Sequence, residues 1–338
     1  MRQRLLIGSY LHEDLVAKIA REVPEVEIIN RPDLLPEPQF PCDHWGVKRQ
    51  LSAAQVAEWQ ECLARAELMF DFDWWNPSQW RRYSPKLKWI QATQAGVGAR
   101  ATGLGHVDNQ VQITTAAGVH AKPLAEFALA GLLHFVRQVP ALEEMKASQR
   151  WTVGPSNTLF GQNALIIGAG SIGREIAETL DYFGVTCDGT SRNARQLGAP
   201  FRNSMPLAEC DLGNYEIIVL SCPLTDETRG MFAKQMFSSM KQGAFIVNLS
   251  RGAVMDQTAL IEALETGRLA GAVLDVADPE PLPSGHPLWS APNLILSPHT
   301  AANVNTENAR IVDLFVANLR RYFSGRELAN SFVPSRGY

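Results

Sequence analysis

Cysteine is scarce in this chain. Its five residues (Cys42, Cys62, Cys187, Cys210, Cys222) are odd in number and include no Cys-x-x-Cys pair. Such a set argues against a disulfide framework or a zinc ribbon and fits the reduced thiols of a cytoplasmic protein, with no metal expected. Long apolar runs are also missing. The longest nearly apolar stretch, 123–136, is interrupted by Glu126, Gly131 and His134. It falls short of the roughly 18 residues a membrane span needs and reads as a buried helix. Positive charge is not in excess: 31 Lys and Arg face 35 Asp and Glu, for a net charge of −4. Nothing there would neutralise a nucleic-acid backbone. Residues 1–8 give way to Ser9 and His12, so no signal peptide is expected. Internal repeats and low-complexity tracts are absent.

What is present is an ordinary globular balance, 46 % hydrophobic and 20 % charged, over 338 residues. That length suits about two domains. Short β-branched runs alternate with helical patterns, the mark of βαβ units on parallel sheets. In the first part, strands are expected at 5–8, 27–29, 67–70, 87–91 and 111–114. A helix over 52–64 opens with Ser52 and Gln55 spaced as a capping box. The proline-rich segment 31–41 reads as a loop. Further on, six strands are expected at 164–167, 185–189, 216–220, 244–248, 271–276 and 294–297. Helices should cover 171–183 and 257–266, the latter with Asp256 as N-cap and Gly267 past its end. A last helix, about 304–323, has no strand after it and is expected to return to the first domain. The expected fold is therefore α/β with two Rossmann-like domains. One, 121–303, is a doubly wound parallel-sheet dinucleotide domain; the other, 1–120 with 304–338, is a discontinuous, flavodoxin-like substrate domain.

Gly168-Ala-Gly170-Ser-Ile-Gly173 follows one of these strands and opens a helix. Three glycines in that spacing are weak evidence alone. In strand–turn–helix context they allow the tight turn, the approach of a pyrophosphate and close helix packing. The helix N-terminus supplies N–H groups for phosphate. Asp188 has the spacing of a ribose-binding acid, yet it falls inside the expected strand. The strand tip reads Thr190-Ser191-Arg192, which suits a 2′-phosphate. NADP(H) is favoured and NAD(H) stays open, since a small register change would reverse the choice.

Three adjacent strands end near chemistry-bearing residues: Arg251, Glu280 and His299. Arg251 can grip a carboxylate and a neighbouring oxygen in one fork. His299 can pass a proton near neutral pH. Glu280, bonded to the other ring nitrogen, would orient the imidazole and favour its charged form. Each also has a plain reading, as surface charge, loop acid or satisfied loop histidine; their coincidence beside a phosphate loop favours the catalytic one.

The stretches 165–173, 222–230, 240–252, 274–282 and 297–299 together resemble the D-isomer-specific 2-hydroxyacid dehydrogenases over nearly the whole chain. The tip Ser191-Arg192 is similar to that of their NADPH-preferring glyoxylate and hydroxypyruvate reductases. The resemblance implies hydride transfer between NAD(P)H and a small 2-oxo acid, giving a D-2-hydroxy acid. Arg251, Glu280 and His299 take the roles argued above. Implied cofactor contacts are Gly168, Gly170, Ser171, Ile172, Gly173, Ser191, Arg192, Cys222, Pro223, Thr228, Leu249, Ser250, Asp275 and Ala301. Ala95 and Gly96 belong to the loop whose N–H groups receive the substrate carboxylate, with Arg251 as its second holder. A homodimer through 123–150 is implied as well. Gly98 stands where many relatives carry Asp, and Cys222 where many carry His. Ser297 argues against formate as substrate and Ala95 against phosphite. Trp74 and Trp75 read as packing or pocket lining, His286 as loop structure, and Trp151 as a residue that could meet a partner subunit. The fold also serves transcriptional corepressors, but no docking tail or basic patch favours that alternative.

Overall fold

The computed structural model describes residues 2–106, 110–190 and 196–334. The chain divides into two units, Met1–His120 with Asn303–Tyr338, and Ala121–Ala302.

The first unit runs β1 (Gln3–Ile7), α1 (Glu13–Glu22), β2 (Val26–Ile29), α2 (Ala53–Arg65), β3 (Leu68–Phe70), α3 (Trp80–Tyr83), β4 (Trp89–Gln91), α4 (Gly98–Gly103) and β5 (Gln112–Thr114). Its strands form one parallel sheet in the order β2-β1-β3-β4-β5. That is the flavodoxin-like order, with its reversal point between β1 and β3. The capping box opens α2 as expected: Ser52 Oγ accepts the Gln55 N–H, and Gln55 Oε1 accepts the Ser52 N–H.

The second unit begins with α5 (Ala121–Val136) and α6 (Val139–Ala147). It continues with β6 (Asn163–Ile167), α7 (Ser171–Tyr182), β7 (Thr186–Thr190), β8 (Ser204–Met205), β9 (Ile217–Leu220), α8 (Lys234–Ser239), β10 (Ala244–Asn248), α9 (Gln257–Glu265), β11 (Leu269–Leu274) and β12 (Leu294–Leu296). The parallel order β12-β11-β10-β9-β6-β7-β8 is the doubly wound dinucleotide topology. The apolar helix α5 lies on this sheet so closely that a Cβ on Gly131 would sit 2.5 Å from Val273 Cγ2.

The chain returns to the first unit as α10 (Glu307–Phe323). Phe315 on α10 meets Phe70 at 5.4 Å and Trp89 at 5.3 Å between ring centroids. All three rings are buried, and burial of each such side chain stabilises by about 1.5–3 kcal/mol.

The second sheet has seven strands rather than six. The unforeseen one, Ser204–Met205, is too short to show alternation and stops at Pro206. The strand at 185–189 moves to Thr186–Thr190 and that at 271–276 to Leu269–Leu274, so Val276 lies in a loop. The last helix starts at Glu307, not 304, because turns occupy the residues before it. The stretch 123–150 holds two helices rather than one, parted at Gln138, whose φ is +55°. All five cysteines are free thiols.

Candidate active site

The glycine turn after β6 has three different reasons for three glycines. Gly168 adopts φ +101°, and a Cβ there would lie 2.5 Å from the Cys222 nitrogen. A Cβ on Gly173 would strike the Gly168 carbonyl at 2.3 Å, so this glycine lets α7 sit on the strand. Gly170, by contrast, has open space where its Cβ would be and caps α7 with no side chain. An open backbone face at an uncapped helix start, leading through Ser171 and Ile172, fits a dinucleotide pyrophosphate.

Asp188 is not available to a ribose. It is buried in β7, where both its oxygens bind Arg202 (Nε at 3.0 Å), joined by the Tyr215 hydroxyl at 2.9 Å and the Asn203 N–H at 3.1 Å. Burial works to raise this carboxyl, but Arg202 and Tyr215 bring it below the usual carboxylate range. The strand ends at Thr190; Ser191 and Arg192 lie outside the described residues.

The loop after β9 is knitted to itself. The Thr228 hydroxyl donates to the Pro223 carbonyl at 2.7 Å and accepts the Thr225 N–H at 2.8 Å. Cys222 is buried against Gly168. Leu249 is buried after β10, its N–H bonded to the Leu220 carbonyl at 3.0 Å.

Arg251, Glu280 and His299 follow β10, β11 and β12, which are neighbours in the sheet. Each is set by local bonds. Asn248, the buried last residue of β10, accepts the Ser250 N–H and hydroxyl, both at 3.0 Å, and donates to the Arg251 carbonyl at 3.2 Å. Arg251 Nη1 donates to the Ser250 carbonyl at 2.7 Å. Burial lowers the Arg251 guanidinium from its ordinary value, and the Glu280 charge works the other way. Gly252 lets the next loop approach: a Cβ there would sit 2.0 Å from the Ala277 carbonyl carbon.

Glu280 uses both oxygens. Oε1 accepts the Ala277 N–H at 3.0 Å, and Oε2 lies 2.8 Å from His299 Nδ1. An ionised carboxylate only accepts, so Nδ1 carries a proton and Nε2 is left for a reacting group. Burial favours the neutral Glu280 carboxyl. Bonds from His299 and Ala277 and the Arg251 charge outweigh it and lower the group below its usual range. Gln257, at the start of α9, steadies this loop by bonding both the carbonyl and the N–H of Asp278.

His299 itself stands at φ +59°, a conformation most side chains avoid. Asp275 holds it there: its buried Oδ1 accepts the N–H groups of Thr300 and Ala301, each at 2.9 Å. Burial raises the Asp275 carboxyl, opposed by these bonds and by Ser297. The His299 side chain remains 44 % exposed, so it is oriented but reachable.

In the first unit, Ala95 and Gly96 follow β4 and lead into α4. The Gln94 carbonyl and the Ala116 N–H tie this loop to the segment after β5 at 2.9 Å. Trp74 and Trp75 are half-buried beside the same core, Trp74 against Trp59 and Trp75 against Tyr83. Trp151 is almost fully exposed, and His286 caps a turn by accepting the Leu288 N–H.

Asn248 and Gln257 were missed in the sequence. A polar residue closing a run of buried β-branched ones was the available signal for Asn248; nothing local marks Gln257. Among the described residues no cluster of ligating side chains could hold a metal, and no helix is long and apolar enough to cross a membrane.

Residues 129–301 match the family described as D-isomer specific 2-hydroxyacid dehydrogenase, NAD binding domain. Over 313 residues the chain is 29 % identical to glyoxylate/hydroxypyruvate reductase A of Serratia proteamaculans, covering 89 % of this chain and 98 % of that one. Among solved structures, a D-isomer specific 2-hydroxyacid dehydrogenase family protein from Aeromonas salmonicida superposes with a TM-score of 0.79 at 28 % identity, covering 98 % and 99 % of the two chains. A D-isomer specific 2-hydroxyacid dehydrogenase from Xanthobacter autotrophicus, in complex with NADPH and MES, gives 0.76 at 25 % identity over the whole of both chains.

Proposed function

The chain belongs to the D-isomer-specific 2-hydroxyacid dehydrogenase family, and we propose that it reduces small 2-oxo acids of the glyoxylate and hydroxypyruvate kind with NADPH. The observation that carries this reading is the Glu280–His299 contact of 2.8 Å beside Arg251 at three adjoining strand ends.

When bound, the reduced nicotinamide supplies a hydride to the 2-carbonyl carbon. The residues of the chain do the rest. Gly168, Gly170, Ser171, Ile172 and Gly173 would hold the pyrophosphate. Cys222, Pro223, Thr228, Leu249, Ser250, Asp275 and Ala301 would border the rest of the cofactor. Arg251 grips the carboxylate and the 2-oxygen of the substrate, fixing the face that reacts. His299 gives its Nε2 proton to that oxygen as it becomes an alkoxide. Glu280 holds the ring in the needed tautomer and offsets the imidazolium charge. The N–H groups of Ala95 and Gly96 are assigned to carboxylate binding. Asp275 acts on His299 through the backbone of the turn it pins.

NADPH is favoured over NADH because Asp188, the one acid in β7, is engaged by Arg202 and Tyr215. Ser191 and Arg192 would then meet the 2′-phosphate. A cytoplasmic homodimer is part of the same reading, supported by exposed Leu142, Trp151 and Val153 on and after α6. The unit 1–120 with 303–338 is assigned to the substrate and the other to the dinucleotide.

The test is turnover of glyoxylate, hydroxypyruvate, pyruvate and bulkier 2-oxo acids with NADPH and with NADH. Reduction of at least one small 2-oxo acid, faster with NADPH, is expected. Binding of NADPH with no turnover of any of them would point to a nucleotide-sensing protein instead.

A further inference from the structure

Arg100 stands on α4, four residues past Gly96, with its guanidinium close to two aromatic rings. The guanidinium carbon lies 4.6 Å from the Trp45 ring centroid and 4.5 Å from that of Phe72. The nearest opposite charge is Asp71, whose Oδ1 is 3.7 Å from Nη1, beyond hydrogen-bond reach. Asp71 is already engaged, accepting the Phe72 N–H at 2.9 Å and the Thr93 hydroxyl at 3.2 Å. Among the described residues the Arg100 guanidinium therefore donates no hydrogen bond, although its side chain is only 21 % exposed. Both rings lie within cation–π range of it, and the long ion pair with Asp71 leaves its N–H groups without a hydrogen-bond acceptor among the described residues. A guanidinium held in this way presents a planar fork that matches a carboxylate.

A second observation is independent of Arg100. His44, the residue before Trp45, places Nδ1 3.0 Å from Ser9 Oγ and buries Nε2 with no partner. A buried polar atom left unmet costs about 1–3 kcal/mol, and such atoms mark places where a ligand or water completes the structure. Ser9 follows β1 and Asp71 follows β3. These two strand ends flank the reversal point of the sheet, where ligands of open α/β sheets bind. Asp71 also holds φ +66°, a strained conformation of the sort found at functional sites.

We propose that Arg100, gripped by Trp45 and Phe72 with His44 in the same loop, is a specificity site for a second anionic group on the substrate. The preferred substrate is then a 2-oxo acid with a distal carboxylate. Asp71 tempers the local charge without occupying the donors, which suits a carboxylate better than a more highly charged phosphate ester. This assignment rests on the reductase reading and narrows its substrate class.

The test compares kcat/KM for oxaloacetate and for 2-oxobutanoate, which carries a methyl group in place of the distal carboxylate. The wild type should prefer oxaloacetate at least tenfold, and Arg100→Met should bring the ratio near one. Trp45→Ala, at a side chain 63 % exposed, removes one jaw of the clamp without opening the core and should lower the ratio part of the way. A wild-type ratio near one, or one unchanged in both variants, overturns the proposal. Calorimetric titration of D-malate against D-2-hydroxybutanoate, with NADPH present so that neither hydroxy acid can be oxidised, reads the same site without turnover. Tighter D-malate binding that is lost in Arg100→Met supports the site even if no 2-oxo acid is reduced, and in that case the reductase reading fails alone. Equal binding of the two acids removes the site.

Discussion

The carboxyl-terminal edges of the two parallel sheets differ in how their polar groups are satisfied. In the second unit, Asn248, Asp275 and Glu280 each bind two or more groups of their own or a neighbouring loop, and those bonds set Arg251 and His299. In the first unit, His44 Nε2 and Trp74 Nε1 are buried without partners. Such bonding suits an edge proposed to carry the chemistry, because a misplaced proton donor costs rate directly. On the proposed reading, the edge assigned to recognition keeps polar atoms unspent for what arrives with the substrate. On that reading, the loops of the second unit run the reaction and those of the first choose the substrate.

The largest effect should come from breaking the second unit's edge at its proton donor. His299→Ala should lower kcat by about 10²–10⁴, the usual contribution of a positioned acid–base. A fully active variant, measured in steady state, would remove the second unit from the chemistry.

Arg251→Lys keeps the charge and loses the planar fork. Its loss of charged hydrogen bonds should lower kcat/KM by about 10–100-fold, through a higher KM and a lower kcat together. Unchanged kcat/KM would show that Arg251 does not touch the substrate.

Cofactor choice should move at the tip of β7. Ser191→Asp combined with Arg192→Gln removes a phosphate partner and adds repulsion. The NADPH to NADH ratio of kcat/KM should fall at least tenfold, about 1.4 kcal/mol. A wild type that already prefers NADH contradicts this assignment.

Asp188→Asn separates structure from cofactor choice in the same strand. It should cost about 1–3 kcal/mol of stability by weakening the Arg202 and Tyr215 bonds, read as a lower urea midpoint. Because the folded state lowers this carboxyl, its stabilising contribution is present above the unfolded value and is lost as pH falls through the folded one. The cofactor ratio should not change; a shift toward NADPH would place Asp188 at the ribose.

Much of the second unit's edge was legible, since its residues lie within a few positions of apolar strands. Gly168, Gly170 and Gly173 and the trio Arg251, Glu280 and His299 are of this kind. Asp275 was read as a cofactor neighbour, but its pinning of the His299 turn was hidden by 24 intervening residues. The recognition edge was nearly unreadable. Trp45 and Arg100 are 55 positions apart, and only the folding of a proline-rich loop onto β1 and β3 brings them together. The strand Ser204–Met205 had no pattern to show.

The most direct test of the Glu280–His299 pair is the pH dependence of Glu280→Gln in both directions of reaction. Glutamine keeps the shape and removes the charge that favours the imidazolium. Reduction needs His299 protonated, so its alkaline limb should move to lower pH in the variant. Oxidation needs it neutral, so the acid limb should move the same way and by the same amount. Profiles that coincide with those of the wild type would show that Glu280 does not tune the proton donor, and shifts in opposite directions would show that two different groups carry the proton.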